Sequence, residues 1–235
     1  ASGPADRVDV KLVEIYAPVV DRRAGPLAEM NREDFTLVHA GRRRPVTGFA
    51  RAQELPLTIG LAVDTSSSMA DWQEDMRRAA AAFFESTLGD RDRAFLTDFD
   101  TRPRLTQPPT THHELLVGRM GALEFDGYTA LYDALLFSLA QFEGLGGRKA
   151  LVVLSDGAAS GSRFRPERSI RQARRFGVPI YLAVREDPSR PLDALQRMVL
   201  GRVAQQTGGQ AFFFSNRDRL GEIYDAIEAD LRSQY

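Results

Sequence analysis

Cysteine is absent from the 235 residues, which removes disulfides, thiolate nucleophiles and cysteine-ligated zinc or iron–sulfur sites together. Lysine is nearly absent too, at Lys11 and Lys149 only, so the basic charge is almost wholly arginine. A bias that general reads as genome composition rather than function. No apolar stretch is long enough to span a bilayer. An excess of charge of either sign is also missing: 31 basic and 32 acidic residues leave a formal charge of −1. That balance gives no electrostatic case for nucleic acid or an anionic membrane as the main partner. Histidine is scarce, and the adjacent His112 and His113 point apart without a His-x-x-x-His spacing, so they read as the start of a solvated helix. What remains is ordinary for a globular chain, 43% apolar and 27% charged, long enough for one large domain or a standard domain with a small companion.

The pattern divides near residue 54. Before it, residues Val8 to Ile15 alternate apolar and polar, the period of a half-buried strand. Phe35–Val38 and Pro45–Phe49 read as two further strands, with Ala40-Gly41 as a tight turn between them. Residues 1–54 are therefore expected to form a small β-rich N-terminal module. After Pro56, apolar strand candidates at Leu57–Val63, Ala94–Phe99, Ala150–Leu154, Pro179–Val184 and Gln210–Phe214 alternate with helix candidates. The helices fall at Asp71–Thr87, Glu114–Leu123, Leu131–Phe142, Pro166–Phe176, Leu192–Gln206 and Leu220–Arg232. Strands apolar throughout and separated by helices predict an α/β, doubly wound, mostly parallel sheet flanked by helices over residues 55–235. In such folds ligands bind beyond the carboxyl ends of the strands. Function is thus expected in the loops after Val63, Phe99 and Leu154.

Those loops are rich in oxygen. LAVDTSSSMAD, residues 61–71, puts Asp64, Ser66 and Ser68 on alternate positions, so an extended loop can converge their side chains. A second loop holds Asp156, and two carboxylates at one edge repel unless a cation lies between them. A third, Phe125-Asp126-Gly127-Tyr128-Thr129, adds a hydroxyl. Carboxylate and hydroxyl oxygens are hard ligands suited to Mg2+ or Mn2+. The same serines and Thr129 also suit helix caps, and the first loop alone does not separate the two readings.

Asp64-Thr65-Ser66-Ser67-Ser68, then Thr129 in TALYDAL, then Asp156 in VVLSDG, resembles the von Willebrand factor type A domain with its metal-ion-dependent adhesion site. The likeness covers roughly residues 55–234. VDVKLVEIYAPVVD, REDFTLVHAGRRRPVTGF and EADLRSQY resemble a bacterial subfamily of such proteins. Two departures stand out: Gly127-Tyr128 replaces a glycine pair before the threonine, and His39-Ala40-Gly41 stands where the subfamily tends to carry an acidic turn. The resemblance implies that Asp64, Ser66, Ser68, Thr129 and Asp156 hold Mg2+, with Mn2+ or Ca2+ as substitutes. It also implies that an Asp or Glu carboxylate of a protein partner completes the coordination, and that the protein is exported to the periplasm or beyond. Asp98, Asp100, Asp126, Tyr128 and Trp72 are expected behind the ligands, supporting them, or around the rim of this site, with Trp72 reading equally well as packing for the helix start. ASGPADRVDV at the start carries no basic-then-apolar signal sequence.

Two rival readings belong to the same residues. LTDFDT, with Asp98 and Asp100, imitates the Asp-x-Asp-x-Thr nucleophile loop of haloacid-dehalogenase-type phosphohydrolases. No suitably placed lysine or later acidic pair follows it, so the chain is not expected to be an enzyme. The third reading is a structural module whose site is vestigial. The arginine series from Arg163 to Arg175 reads as a solvated helix face.

Overall fold

Eight consecutive residues, Leu57–Asp64, are buried, as befits a strand covered on both faces. The computed structural model that places them describes residues 20–21, 25–26, 30–49 and 55–233. In chain order these hold β1 (Val20–Asp21), β2 (Gly25–Pro26), β3 (Leu37–His39), β4 (Arg42–Arg44), β5 (Leu57–Asp64), α1 (Gln73–Thr87), β6 (Arg93–Phe99), β7 (Pro103–Thr110), α2 (His113–Met120), α3 (Leu131–Ala140), β8 (Arg148–Ser155), α4 (Pro166–Phe176), β9 (Ile180–Arg185), α5 (Ala194–Thr207), β10 (Ala211–Phe214) and α6 (Arg219–Ser233). Six strands form one sheet in the order β10-β9-β8-β5-β6-β7, parallel except for β7. The α/β, mostly parallel sheet expected from the sequence is present.

Helices cover both faces. Met76, Ala80, Phe83 and Phe84 of α1 join Leu220, Ile223, Tyr224 and Ile227 of α6 on one side of the sheet. Leu131, Leu135 and Leu139 of α3, Ile170 of α4 and Leu200 of α5 cover the other. Gly60 lets β5 pass against Phe95, because a Cβ there would lie 2.3 Å from the ring. The chain runs outward from β5 through β6 to β7, then returns to β8 on the other flank of β5. This reversal of strand order opens a crevice at the carboxyl end of β5, where ligands bind in open α/β sheets.

Two expectations change. Strand β7 was not foreseen: PRLTQPPT carries three prolines, which cannot donate to a ladder, so this strand belongs at the sheet edge. In the N-terminal part Ala40 and Gly41 do make the turn, with φ of 51° and 72°, but the returning strand is Arg42–Arg44 and not Pro45–Phe49. A two-residue turn fixes that register, pairing His39 with Arg42. The strand expected at Val8–Ile15 lies outside the described residues.

Candidate functional site

The crevice is assembled from three loops. In the first, β5 ends at Asp64, which is wholly buried. Its Oδ1 accepts the Ser66 amide (2.9 Å) and its Oδ2 accepts the Ser155 hydroxyl (2.6 Å). Burial, offset by these hydrogen bonds and reinforced by the nearby Asp156 charge, pushes the Asp64 carboxyl up to about 6. Ser66 leads into a 3-10 turn, Ser67–Trp72, yet its side chain does not cap it. Instead Ser66 Oγ lies 3.1 Å from Ser68 Oγ, and Ser68 Oγ donates to Asp156 Oδ2 at 2.6 Å. Asp156 Oδ1 accepts the Ala158 amide (2.9 Å), an Asx-type turn that fixes its direction. Asp64, Ser66, Ser68 and Asp156 are thus brought together as one run of oxygens. Ser67 is exposed, and Ser68 sits inside the 3-10 turn with no capping hydrogen bond, so neither serves as a helix cap.

Thr129 is buried, at 3% exposure, just ahead of α3. Ala130, not Thr129, is the residue that caps α3, so the capping reading of Thr129 fails. Its carbonyl accepts the Gly161 amide (3.0 Å), and the next amide, of Ala130, donates to the Asp100 carbonyl (2.8 Å). Among the described residues its side chain makes no hydrogen bond to Asp64, Ser66, Ser68 or Asp156. Backbone bonds knit the loops together: the Thr65 amide donates to the Phe99 carbonyl (2.8 Å), and the Asp126 amide to the Thr65 carbonyl (2.9 Å).

The expected rim divides. Tyr128 is 73% exposed and stands at the mouth. Asp126 is exposed and its Oδ1 accepts the Gly127 amide (2.7 Å), so it shapes its own loop. Asp98 and Asp100 are held by Arg104 of β7, through Nε to Asp98 (2.8 Å) and Nη2 to Asp100 (3.0 Å), with the Thr106 hydroxyl also on Asp98. Trp72 takes the packing alternative and not the rim. It is 6% exposed, packs edge-on against Phe214 at 5.7 Å, and has the Arg185 and Arg217 guanidinium groups over its ring at 5.5 and 5.0 Å. A large apolar ring at a helix entry gains more from burial than from exposure at a rim.

Sequence reasoning missed four supporting residues. Ser155 orients Asp64; the serine directly before Asp156 was the only signal. Thr101 accepts the Tyr128 amide (3.3 Å), and Gly127 takes a φ of 78° where a Cβ would lie 2.9 Å from the Thr101 hydroxyl. Asp133, buried in the first turn of α3, accepts the amides of Arg163 (2.9 Å) and Phe164 (3.1 Å) and pins the loop beyond Asp156. Arg185 donates to the Ser68 carbonyl (2.9 Å).

Residues 59–158 match the family model of the von Willebrand factor type A domain. The chain has the fold of that domain. Its fold is similar to that of a von Willebrand factor type A protein from Catenulispora acidiphila, with TM-score 0.61 and 16% identity over 75% of this chain and 43% of that one. It is also similar to the PilB minor pilin of Streptococcus sanguinis, with TM-score 0.60 and 14% identity over 83% of this chain and 66% of the pilin. The von Willebrand factor domain of the type V pili tip protein Mfa5 from Porphyromonas gingivalis gives TM-score 0.59 and 12% identity, over 74% of this chain and 94% of that domain. At these identities the likeness establishes the fold of the von Willebrand factor type A domain. No curated protein sequence matches the chain.

Proposed function

We propose that this von Willebrand factor type A domain holds Mg2+, or Mn2+ or Ca2+ in its place, and binds through it a protein that presents an Asp or Glu carboxylate. Asp64, Ser66, Ser68, Thr129 and Asp156 would hold the ion. The observation that carries this reading is the run of oxygens from buried Asp64 through Ser66 and Ser68 to Asp156 at the carboxyl edge of the sheet. The donor set fits such an ion: carboxylates and hydroxyls are hard ligands, and the raised Asp64 carboxyl is short of a compensating positive charge. Among the described residues no three His, Asp or Glu side chains gather into a metal cluster. A site built largely from neutral hydroxyls leaves a bound cation with most of its charge, which is what attracts an anionic partner.

The chain's own residues do the positioning. Ser155 and the Ser66 amide orient Asp64, the Ala158 amide orients Asp156, and Gly161 and Asp100 set the backbone on either side of Thr129. No residue here is arranged to activate a nucleophile. The phosphohydrolase reading needs a free Asp98, and Asp98 is 5% exposed and tied to Arg104 and Thr106. Pilus proteins among the structural relatives support both a binding role and an exported location.

Calorimetric titration with Mg2+ and Mn2+ tests the reading. One binding event is expected, lost in Asp64→Ala and in the half-buried, better tolerated Asp156→Ala, and retained in Ser67→Ala. An unchanged titration in both aspartate variants overturns it. A pull-down from source-cell extract with and without EDTA then reports the partner.

A further inference from the structure

Charge is balanced over the whole chain but not along its length. Residues 157–185 hold seven arginines and a single acid, Glu167. Six of those arginines lie on α4 or within three residues of its start, and all six are exposed. The buried residues Ser169, Ile170 and Ala173 fix which face of α4 meets the core. At about 100° of turn per residue, Arg168, Arg171 and Arg175 fall on the opposite face, as one stripe about 10 Å long.

The acids that could neutralise this face are engaged elsewhere. Glu167 pairs with Arg202 of α5 (2.5 Å), and Asp133 of α3 pairs with Arg163 (2.8 Å). Helix α5 itself carries no acid, and Arg174 donates to the Gln206 carbonyl (2.7 Å). Among the described residues, Arg165, Arg168, Arg171 and Arg175 have no carboxylate within ion-pair distance. The helix gains nothing from the stripe. Arg168 sits in its first turn, where the helix dipole disfavours a cation, and Arg171 repels Arg168, Arg174 and Arg175 three or four residues away. A local arrangement that opposes its own helix points to a role outside it, and an external anion relieves this one. The arginine heads are also held ready. The Arg168 guanidinium stacks 4.4 Å over the Phe164 ring, which leaves its N–H donors free in their own plane.

We propose that this face of α4 docks an acidic segment of a protein partner, whose carboxylates pair with Arg168, Arg171 and Arg175. The spacing suits an extended chain. Acids on alternate positions of such a chain lie about 6–7 Å apart, close to the about 5–6 Å between neighbours on one helix face. A membrane fits less well, because α4 buries its apolar residues in the core and presents no large exposed hydrophobic side chain to lipid. Nucleic acid fits less well too. The ring within the stripe, Phe164, is half-buried and lies under the Arg163 and Arg168 guanidinium groups, which leaves no platform for a base. The stripe starts just beyond the Asp156 loop, which Gly161 ties to Thr129. One acidic partner could therefore reach both the cation and α4, a link that rests on the proposed function; the pairing on α4 needs no cation.

Fluorescence anisotropy of a labelled oligoglutamate peptide, in EDTA and about 0.15 M salt, tests the pairing apart from the cation site. Saturable binding is expected, weakened about tenfold or more in Arg168→Glu/Arg171→Glu. That variant should melt no lower than the parent, since glutamate relieves the repulsion along α4. The equal charge change Arg91→Glu/Arg119→Glu, at exposed positions away from α4, should bind the peptide as the parent does. No binding by the parent overturns the proposal. So does a loss in the α4 variant no greater than in the control. Tighter binding of a DNA duplex or of phosphatidylglycerol vesicles than of the peptide overturns it as well. All three readings are made without a divalent ion, so they are independent of the Mg2+ titration.

Discussion

Asp64 sets the chemistry of the crevice because its carboxyl is buried before any cation arrives. Its folded value of about 6 lies above the ordinary 3.8, so ionising it in the metal-free protein opposes folding. The sign follows: stability of the metal-free chain should fall as pH rises from about 4 to about 6, then level off. Cation binding must displace that proton, so apparent Mg2+ affinity should climb with pH up to about 6 and flatten above it. Titrations at several pH values check both slopes. Ser155→Ala removes a buried donor to Asp64 and should cost about 1–3 kcal/mol in chemical denaturation. The ligand candidates were legible in the sequence because a D-x-S-x-S spacing and two later residues are a sharp pattern. Ser155, Thr101 and Asp133 were not, since their roles come from neighbours dozens of residues away.

Among the elements, β6 and β7 act as a brace for the Thr129 loop. Arg104 draws together Asp98 and Asp100, and the Asp100 carbonyl receives Ala130 beside Thr129. Arg104→Met leaves a buried carboxylate without its cation, and a loss of about 1–3 kcal/mol is expected from denaturant midpoints. Gly60→Ala drives a methyl into the Phe95 ring and should cost about 1–3 kcal/mol or more. Periodicity located α4 at Pro166–Phe176 to the residue, because proline opens it and Gly177, with φ of 64°, closes it. It missed β7 because proline, read locally, argues against any strand; only the sheet shows that an edge tolerates it. Trp72 stayed open between rim and core for a related reason. Nothing local says that Phe214, far along the chain, will lie against its ring.

For the whole molecule, cation binding and stability are linked. At a free Mg2+ concentration of about 100 times Kd the chain should gain roughly 2.7 kcal/mol, read as a raised denaturation midpoint, and Asp64→Ala should gain nothing. The long reach of the site has a kinetic consequence. Asp64 meets Ser155 across 91 positions of chain, and β5 gains its second flanking strand only when β8 docks. Such distant pairings close late, after the cost of bringing the chain ends together has been met. During synthesis the oxygens cannot assemble until residue 156 has emerged and joined the sheet. On the proposed function, capture of a divalent ion would have to wait for β8 to dock, and a chain cut short before β8 would expose its serines without forming a site.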